Sequence, residues 1–480
     1  MTGHTSDQPG TDAGLLSPSW AAAGVHPLLS DEAWVAAMVE VEVALATVQA
    51  RLGVVPPSAA EAIARTAAAT SLDVTAIAHR ATGAANPVVV LVQEFTRAVA
   101  QTDPSAAEYV HRGGTSQDIL DSAAMLLAGR VLDRIDADLV RIAGSLAALA
   151  AGHRDTPMAG RTLTQHAAPV TFGLKAAGWL TLVLDAVDRV RRVRAGLPVQ
   201  LGGAAGTLSA YQAYAGSAGG AGTSGAGHGM TLMAGLAGEL GLAEPAAPWH
   251  TQRTPLADLG WVASVVTGAL GKLAVDVLGM SRTEVGEVAE PTGEDRGVSS
   301  AMPQKRNPVL ATVIVAAARQ VPAYSLVLAQ SMLAEDERAA GGWQSEWQPL
   351  REVLRLAAGA ATAGVELAAG LSVFPQRMAA NLNLTGGAIV SERLNVELAP
   401  LLGKAVAKKL LARISREAAA TGKPFAELLA VAPELDGRFA DARVADELLD
   451  PANYLGAADE IVARVLRRHQ YTNAQGHEDR

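Results

Sequence analysis

Long segments with a helical pattern and almost no internal proline fill the middle of this chain of 480 residues. Apolar side chains recur in them at steps of three and four residues, which predicts amphipathic helices. No alternating strand pattern separates the segments, so they are best buried by packing side by side as a bundle. The segments cover residues 119–151, 170–195, 256–284 and 309–338, and Pro322 predicts a kink in the last of them.

The pattern as a whole predicts an all-α protein with three helical domains. Ser30 is expected to cap the first long helix, whose apolar series ends at Gly53. The predicted parts are a flexible N-terminal tail over residues 1–18, an N-terminal helical domain over 19–111, a central bundle over 112–365 and a C-terminal helical domain over 366–480.

Composition and charge exclude several classes of function. The formal net charge of −9 does not fit a nucleic-acid-binding protein, because neutralising phosphates requires a basic surface. The chain contains no cysteine, which excludes disulfides and thiolate catalysis. The first residues lack the pattern of a secretory signal, and no uninterrupted apolar run reaches membrane-spanning length. We therefore expect a cytoplasmic protein with no nucleic-acid and no membrane partner.

A glycine-rich stretch over residues 216–229 could be mistaken for a phosphate-binding loop. No predicted strand precedes it, it has no GK[ST] ending, and no acidic residue follows at the dinucleotide spacing. A flexible connection between two helices is the preferred interpretation.

Four polar segments interrupt the apolar helical sequence and are the candidates for a site. They begin at His111 (HRGGTSQD), Gly160 (GRTLTQHAAP), Pro248 (PWHTQR) and Gly297 (GVSSAMPQKRNP). The last combines a glycine, paired serine hydroxyls, a lysine and an asparagine within a few residues, which is typical of a mobile anion-binding loop. The same residue types are also ordinary at the start of a helix, so spacing alone leaves both interpretations open.

The residues from Ser299 to Pro308 resemble the GSSxMPxKxNP signature of the fumarase/aspartase superfamily, and place its signature loop at residues 294–308. The segments at His111 and Thr162 resemble the first and second conserved regions of that superfamily, and the resemblance covers roughly residues 20–470. Asn86-Pro87, the GGAAGTL run from Gly202 and PWHTQR are similar to the carboxy-cis,cis-muconate cycloisomerase branch, which nitrosuccinate lyases also resemble.

The resemblance implies a homotetramer with a 20-helix core shared by four subunits. Each active site would be built from three chains, would bind a small dicarboxylate and would need no metal or organic cofactor. By this resemblance Ser299 is the general base, and the substrate-binding residues are Lys305, Asn307, Ser300, Thr115, Ser116, Thr164, Gln165, Asn86, Arg253 and Arg338.

Leu163 departs from relatives that expel an amine or hydroxide, which usually carry a histidine at this position. Leucine cannot donate a proton, so the leaving group should already be a stable anion. Elimination of nitrite from nitrosuccinate to give fumarate is the preferred hypothesis, and 3-carboxy-cis,cis-muconate cycloisomerisation is the alternative. Adenylosuccinate-type cleavage fits less well.

Two further alternatives concern the histidines and catalysis itself. His111, His166 and His250 lie in the polar segments, where a structural role is preferred to that of general acid. None of the ten histidines has a metal-ligand spacing. A noncatalytic, crystallin-like protein is opposed by the presence of Ser299 and Lys305, since loss of catalysis should remove the loop chemistry.

Overall fold

The computed structural model describes residues 14–21, 23–218, 227–293, 296–298, 302, 304–436, 438 and 447–478. The fold is all-α, as the sequence predicts, with short strand pairs as additions. The predicted tail over residues 1–18 lies mostly outside the described residues, as does most of the glycine-rich stretch.

Helices account for most of the described chain. Up to the second conserved region they are α1 (His26–Leu29), α2 (Asp31–Arg51), α3 (Pro57–Ala69), α4 (Val74–Ala81), α5 (Pro87–Thr102), a 3₁₀ turn (Ala106–Tyr109) and α6 (Ser116–Gly152). The middle of the chain forms α7 (Phe172–Ala195), α8 (Ser209–Ala218), α9 (His228–Leu240), α10 (Thr254–Met280), α11 (Val309–Gln330) and α12 (Gly342–Gly370).

The C-terminal part continues with shorter helices. They are α13 (Pro375–Leu382), a 3₁₀ turn (Ala388–Val390), α14 (Ser391–Leu402), α15 (Lys404–Thr421), α16 (Phe425–Ala430), 3₁₀ turns (Pro433–Leu435 and Pro451–Asn453) and α17 (Ala458–Glu478).

Two antiparallel strand pairs interrupt the helices. Strands β1 (Pro157–Thr162) and β2 (Gln165–Thr171) form a hairpin, and β3 (Val288–Ala289) pairs with β4 (Ser372–Val373). The helix predicted from residue 170 therefore begins only at Phe172. The β-branched Val170 and Thr171 belong to β2, where their side chains pack well on a pleated surface.

The ends of the long helices agree with the sequence in part. The Ser30 side chain accepts a hydrogen bond from the Ala33 amide and caps α2, as predicted. Gly53 follows the end of α2 with a φ of 76°, a conformation that glycine adopts without strain. Helix α11 continues through Pro322 and ends at Gln330, so the segment predicted to reach residue 338 is too long.

The chain divides into two compact units, each assembled from separate ranges. Unit 1 contains residues 1–138, 186–271 and 313–363, and unit 2 contains residues 139–185, 272–312 and 364–480. The three-domain division drawn from the sequence stays a prediction.

Each unit has its own apolar core. In unit 1, α2, α3 and α5 bury a cluster that includes Val55, Ile63 and Phe95. In unit 2, α14, α15 and α16 enclose a cluster around Ile414 and Phe425.

Four helices are long and apolar enough to cross a membrane by length and composition. They are α2, α10, α11 and α12, and the buried shares of their apolar windows are 56%, 56%, 33% and 72%. The sequence predicts that no apolar run is long enough to span a membrane. This prediction holds only for runs without an interruption. Of these four helices, α11 has the smallest buried share of its apolar window in the single chain.

Candidate active site

The first polar segment forms a tight loop that leads into α6. His111 has a φ of 57° and Gly113 a φ of 81°, and the Gly114 amide donates to the His111 carbonyl at 3.1 Å. A Cβ on Gly113 would lie 2.9 Å from the Tyr211 ring, so the close approach of this loop to α8 requires glycine. The turn places Thr115 and Ser116 at the start of α6.

The carboxylate of Asp118 holds this loop in place. Its buried carboxylate accepts hydrogen bonds from the amides of Gly202 at 2.8 Å and Gly203 at 3.0 Å, and from the Tyr211 hydroxyl at 3.0 Å. Burial, and then the neighbouring carboxylate, raise the pKa of Tyr211 well above its usual value, so its hydroxyl stays protonated and donating. One side chain therefore fixes three chain segments of unit 1 together.

His250 is a further hydrogen-bond partner of Asp118. Its Nε2 lies 3.0 Å from Asp118 Oδ1, and Gln117 donates to its backbone carbonyl at 2.8 Å. Since a carboxylate oxygen only accepts, Nε2 is assigned as the donor, and the buried Nδ1 has no hydrogen-bond partner among the described residues. This arrangement supports the structural role that the sequence favoured for His250.

His111 pairs with Glu42 of α2 at 2.6 Å between Nδ1 and Oε1. Burial pulls the pKa of the imidazole down, but the charge and hydrogen bond of Glu42 outweigh it, and the net pKa is raised. The loop is thereby tied to α2 by a charge-assisted contact.

Arg253 lies at the centre of a buried ion cluster. Its guanidinium donates to Asp121, Glu346 and the Trp249 carbonyl, with distances from 2.5 to 3.2 Å. These contacts engage all five of its N–H groups, so a substrate carboxylate could bind Arg253 only by displacing one of them. Burial raises the pKa of Glu346, and Arg253 opposes that shift.

Arg338 lies over the start of α6. Its Nη2 donates to Thr115 Oγ1 at 2.8 Å and to the Ala204 carbonyl at 3.1 Å. Within the described parts of the chain no carboxylate pairs with it, although Glu335 and Glu337 are close in sequence. This pair brings together two of the predicted substrate-binding residues.

The signature loop belongs to unit 2, and Ser299 and Ser300 lie outside the described residues. The neck of the loop is closed by a hydrogen bond of 2.9 Å from the Asn307 amide to the Gly297 carbonyl, and by a bridge between Val298 and Arg306. Gly297 has a φ of 71°, and a Cβ there would lie 2.6 Å from the Asn307 oxygen. The neck geometry therefore depends on glycine.

A cavity of about 490 Å³ with several charged residues in its lining opens beside the neck. Lys305 and Asn307, which the sequence predicts as carboxylate-binding residues, both line this cavity. Further charged residues in its lining are Arg282, Arg296, Arg306 and Glu290. The surplus of cations suits an anionic ligand.

Glu290 occupies the N-terminus of α11. Its carboxylate accepts from the amides of Leu310 at 2.9 Å and Ala311 at 2.7 Å. Burial raises the pKa of Glu290, and the two amides oppose that shift. Glu290 thus fixes the helix that directly follows the loop.

The β1–β2 hairpin presents the second conserved region. Thr162 pairs with Gln165, so Leu163 and Thr164 form a two-residue turn, and Leu163 is 96% exposed. At its base Arg161 forms two hydrogen bonds of 2.7 and 2.9 Å to the buried carboxylate of Glu287. The hairpin therefore has a fixed base and an exposed tip that carries Thr164 and Gln165.

The remaining predicted residue, Asn86, caps α5 by accepting from the Val88 amide at 3.0 Å. Sequence reasoning missed Asp118, Tyr211, Glu290 and Arg282 as residues that hold or line the site. Asp118 lies inside the HRGGTSQD segment and could have been found there, whereas Tyr211 carries no local signal.

Among the described residues no group of three or more His, Asp or Glu side chains could hold a metal ion.

Comparison with known proteins decides the family. A model of a family described as "Lyase" matches residues 25–323, and "Adenylosuccinate lyase C-terminus" matches residues 387–465. The chain belongs to this lyase family. It is an enzyme of the fumarase/aspartase superfamily, in the branch that contains the carboxymuconate cycloisomerases, as its motifs predict.

Individual relatives of this superfamily match almost the whole chain. A nitrosuccinate lyase from Streptomyces davaonensis is 56% identical over 95% of this chain and 94% of its own length. A 3-carboxy-cis,cis-muconate cycloisomerase from Bradyrhizobium diazoefficiens is 38% identical over 94% of this chain and 97% of its own. The crystal structure of the 3-carboxy-cis,cis-muconate lactonizing enzyme from Pseudomonas putida has a TM-score of 0.87 and 36% identity, and covers 96% of this chain and 100% of that one.

Proposed function

We propose that this lyase eliminates nitrite from nitrosuccinate to give fumarate. The observation that carries the proposal is the 56% identity to a nitrosuccinate lyase over 95% of the chain. Leu163 supports it, because its exposed side chain offers no proton to a leaving group, and nitrite leaves as a stable anion without one.

In the proposed step a base removes a proton from the carbon beside a carboxylate. The C–N bond then breaks, its electron pair leaves on nitrite, and the remaining pair forms the C=C bond of fumarate. Ser299 is proposed as the base, with its alkoxide stabilised by loop amides or Lys305. Lys305 and Asn307 would hold the carboxylate on which negative charge develops, and their shared cationic cavity supports that role.

The active enzyme is proposed to be a soluble, cytoplasmic homotetramer with no cofactor. Each active site would combine Thr115, Ser116 and Arg338 of one chain with Thr164 and Gln165 of a second and the signature loop of a third. The open apolar surface of α11 supports burial of this helix against other copies of the chain.

Cycloisomerisation of 3-carboxy-cis,cis-muconate is the second candidate. Relatives with that name are 36% to 39% identical over nearly the full chain. That reaction also involves a carboxylate rather than a protonated nitrogen, so Leu163 is compatible with both.

The first experiment is an ultraviolet assay of fumarate formation from nitrosuccinate, with nitrite measured on the same samples. Carboxymuconate, adenylosuccinate and aspartate are tested in parallel. Equimolar fumarate and nitrite are expected from nitrosuccinate alone. Loss of carboxymuconate absorbance without fumarate from the other compounds would instead make the enzyme a cycloisomerase.

The variant Ser299→Ala tests the proposed base. We expect kcat to fall by roughly 10²-fold or more, the range that general base catalysis contributes. A loop hydroxyl contributes little to packing, so the thermal midpoint and oligomeric mass should not change. Normal turnover in this variant would remove Ser299 as the base.

A further inference from the structure

Arg112, in the loop that carries Thr115, is held by two aromatic rings. Its guanidinium carbon lies 4.7 Å from the Tyr109 ring centroid and 4.3 Å from that of Tyr214. Both rings therefore make cation–π contacts, which stabilise the charge and fix the plane of the guanidinium. The N–H groups at its edge remain for hydrogen bonding.

The charge of Arg112 has no anionic partner within the described ranges, and its Nε is buried without a hydrogen-bond acceptor. Two other arginines differ in this respect. Arg253 is paired with two buried carboxylates, and Arg161 is paired with Glu287. An arginine stabilised by rings instead of a carboxylate keeps its charge available to a ligand.

A second cation lies against the same loop. Arg338 donates to Thr115 Oγ1, and its Nε is likewise buried without a partner in the described chain. Arg338 is thus bonded to Thr115, and Arg112 belongs to the loop that carries it, while the nearby Asp118 is fully engaged by His250, Tyr211 and backbone amides. Such a place favours a ligand with two groups that each present two oxygens in a plane.

We propose that Arg112 binds the leaving nitro group of the substrate, while Arg338 and Thr115 bind a carboxylate. This inference rests on the proposed nitrosuccinate lyase function. A nitro group is planar and presents two oxygens, which match two parallel N–H groups of a guanidinium edge. It carries no net charge in the substrate and becomes the nitrite anion as the C–N bond breaks. The contact with Arg112 therefore strengthens in the transition state, which lowers the barrier.

The test compares Arg112→Gln and Arg112→Lys with the unchanged enzyme. Removing a donor that acts on developing charge typically lowers kcat by about 10²-fold, and we expect that loss for Arg112→Gln. Arg112→Lys should recover only part of it, because an ammonium lacks the planar pair of donors. Inhibition by fumarate, which has two carboxylates and no nitro group, should change less than about twofold. Arg65→Gln removes an exposed charge of the same type and serves as the matched control.

The support from the rings is tested separately at Tyr214. Tyr214→Leu removes one ring face and should lower kcat in the same direction, whereas Tyr214→Phe keeps the ring and should retain more activity. This pair keeps Arg112 itself intact, so it remains informative if Arg112→Gln folds poorly.

Three results would overturn the inference or what it rests on. Equal weakening of fumarate inhibition and of turnover in Arg112→Gln would place Arg112 on a carboxylate. Unchanged kinetics in both Arg112 variants would remove it from the site. If the unchanged enzyme releases no nitrite from nitrosuccinate, the proposed function itself fails, and that result is distinguished by the wild-type assay.

Discussion

At the residue scale, three arginines of unit 1 differ in their surroundings: Arg253 is buried among carboxylates, whereas Arg112 and Arg338 are only partly buried. Arg253 is paired with Asp121 and Glu346 and also donates to the Trp249 carbonyl, and Trp343 donates to Asp121 at 2.9 Å. Removing one partner of such a cluster leaves an unpaired buried charge, which costs about 3–5 kcal/mol. Arg112 and Arg338 have no such partners in the described chain, and they are better placed to meet a ligand.

The contact between His111 and Glu42 predicts a dependence of stability on pH. The folded-state pKa of His111 is raised above its ordinary value of about 6.5. The stability that the protonated imidazole gains from Glu42 and Asp118 is therefore fully present below about pH 6.5, and is lost as pH rises through the raised pKa. Urea unfolding at pH 6 and pH 9 measures the change.

His111→Asn is the matched control for this prediction, because asparagine tolerates the positive φ at this position. The variant should lose less unfolding free energy than the unchanged protein between the two pH values. Parallel pH profiles for both proteins would contradict the proposed linkage.

At the element scale, the tip of the β1–β2 hairpin is strained. Leu163 has a φ of 49° and Thr164 a φ of 71°, and neither side chain favours that region. Two-residue hairpin turns with two positive φ angles normally contain Asn-Gly, whose conformations fit without strain. Strain at an exposed tip is consistent with residues retained for contact with a ligand or another chain.

The double variant Leu163→Asn with Thr164→Gly should relieve this strain. We expect the free energy of unfolding to rise by about 1 kcal/mol. Each left-handed residue costs at least about 1 kcal/mol, and the greater freedom of glycine in the unfolded chain offsets part of the gain from the two positions. Turnover should fall, since the Thr164 hydroxyl is lost from the proposed pocket. Thermal unfolding and kcat/KM are measured on the same preparation.

The single variant Leu163→Asn separates the two effects. It relieves part of the strain and keeps the Thr164 hydroxyl, so its stability should rise with a smaller loss of turnover. Full activity in the double variant would remove Thr164 from the site, and no gain in stability would show that the tip is not strained.

At the scale of the whole molecule, the exposed apolar surface of α10 and α11 predicts assembly. Trp261 and Leu326 are 61% and 60% exposed in the single chain. Within unit 1 the two helices already pack closely, with Ser325 donating to the Gly260 carbonyl at 2.7 Å. Their outward apolar side chains would be buried in the proposed 20-helix core.

Light scattering after gel filtration should give a mass four times the 49.2 kDa of one chain. The variant Leu326→Glu should lower that mass and abolish turnover together, because a charge would be buried in the interface and shared sites would be lost. Leu401→Glu, in α14 and 52% exposed, is the matched control and should remain tetrameric. A monomeric, active enzyme would contradict both the tetramer and the shared site.

The sequence by itself determined the family through its signature motifs. It also determined the all-α class and the long helices, because apolar periodicity and capping are local properties. The Ser30 cap and the start of α11 are examples. The sequence did not predict the β1–β2 hairpin, because its short strands are recognised by their pairing with each other and lack a strong local pattern.

Only the tertiary structure decided which polar residues are engaged and which are open. The motifs contain Arg112, Arg253 and Arg338 alike, but folding places two carboxylates on Arg253 and two tyrosine rings on Arg112. It also brings Asp118 to Tyr211 from 93 residues away. Spacing along a chain fixes which residues share a turn or a helix face, whereas contacts between distant segments depend on how the helices pack.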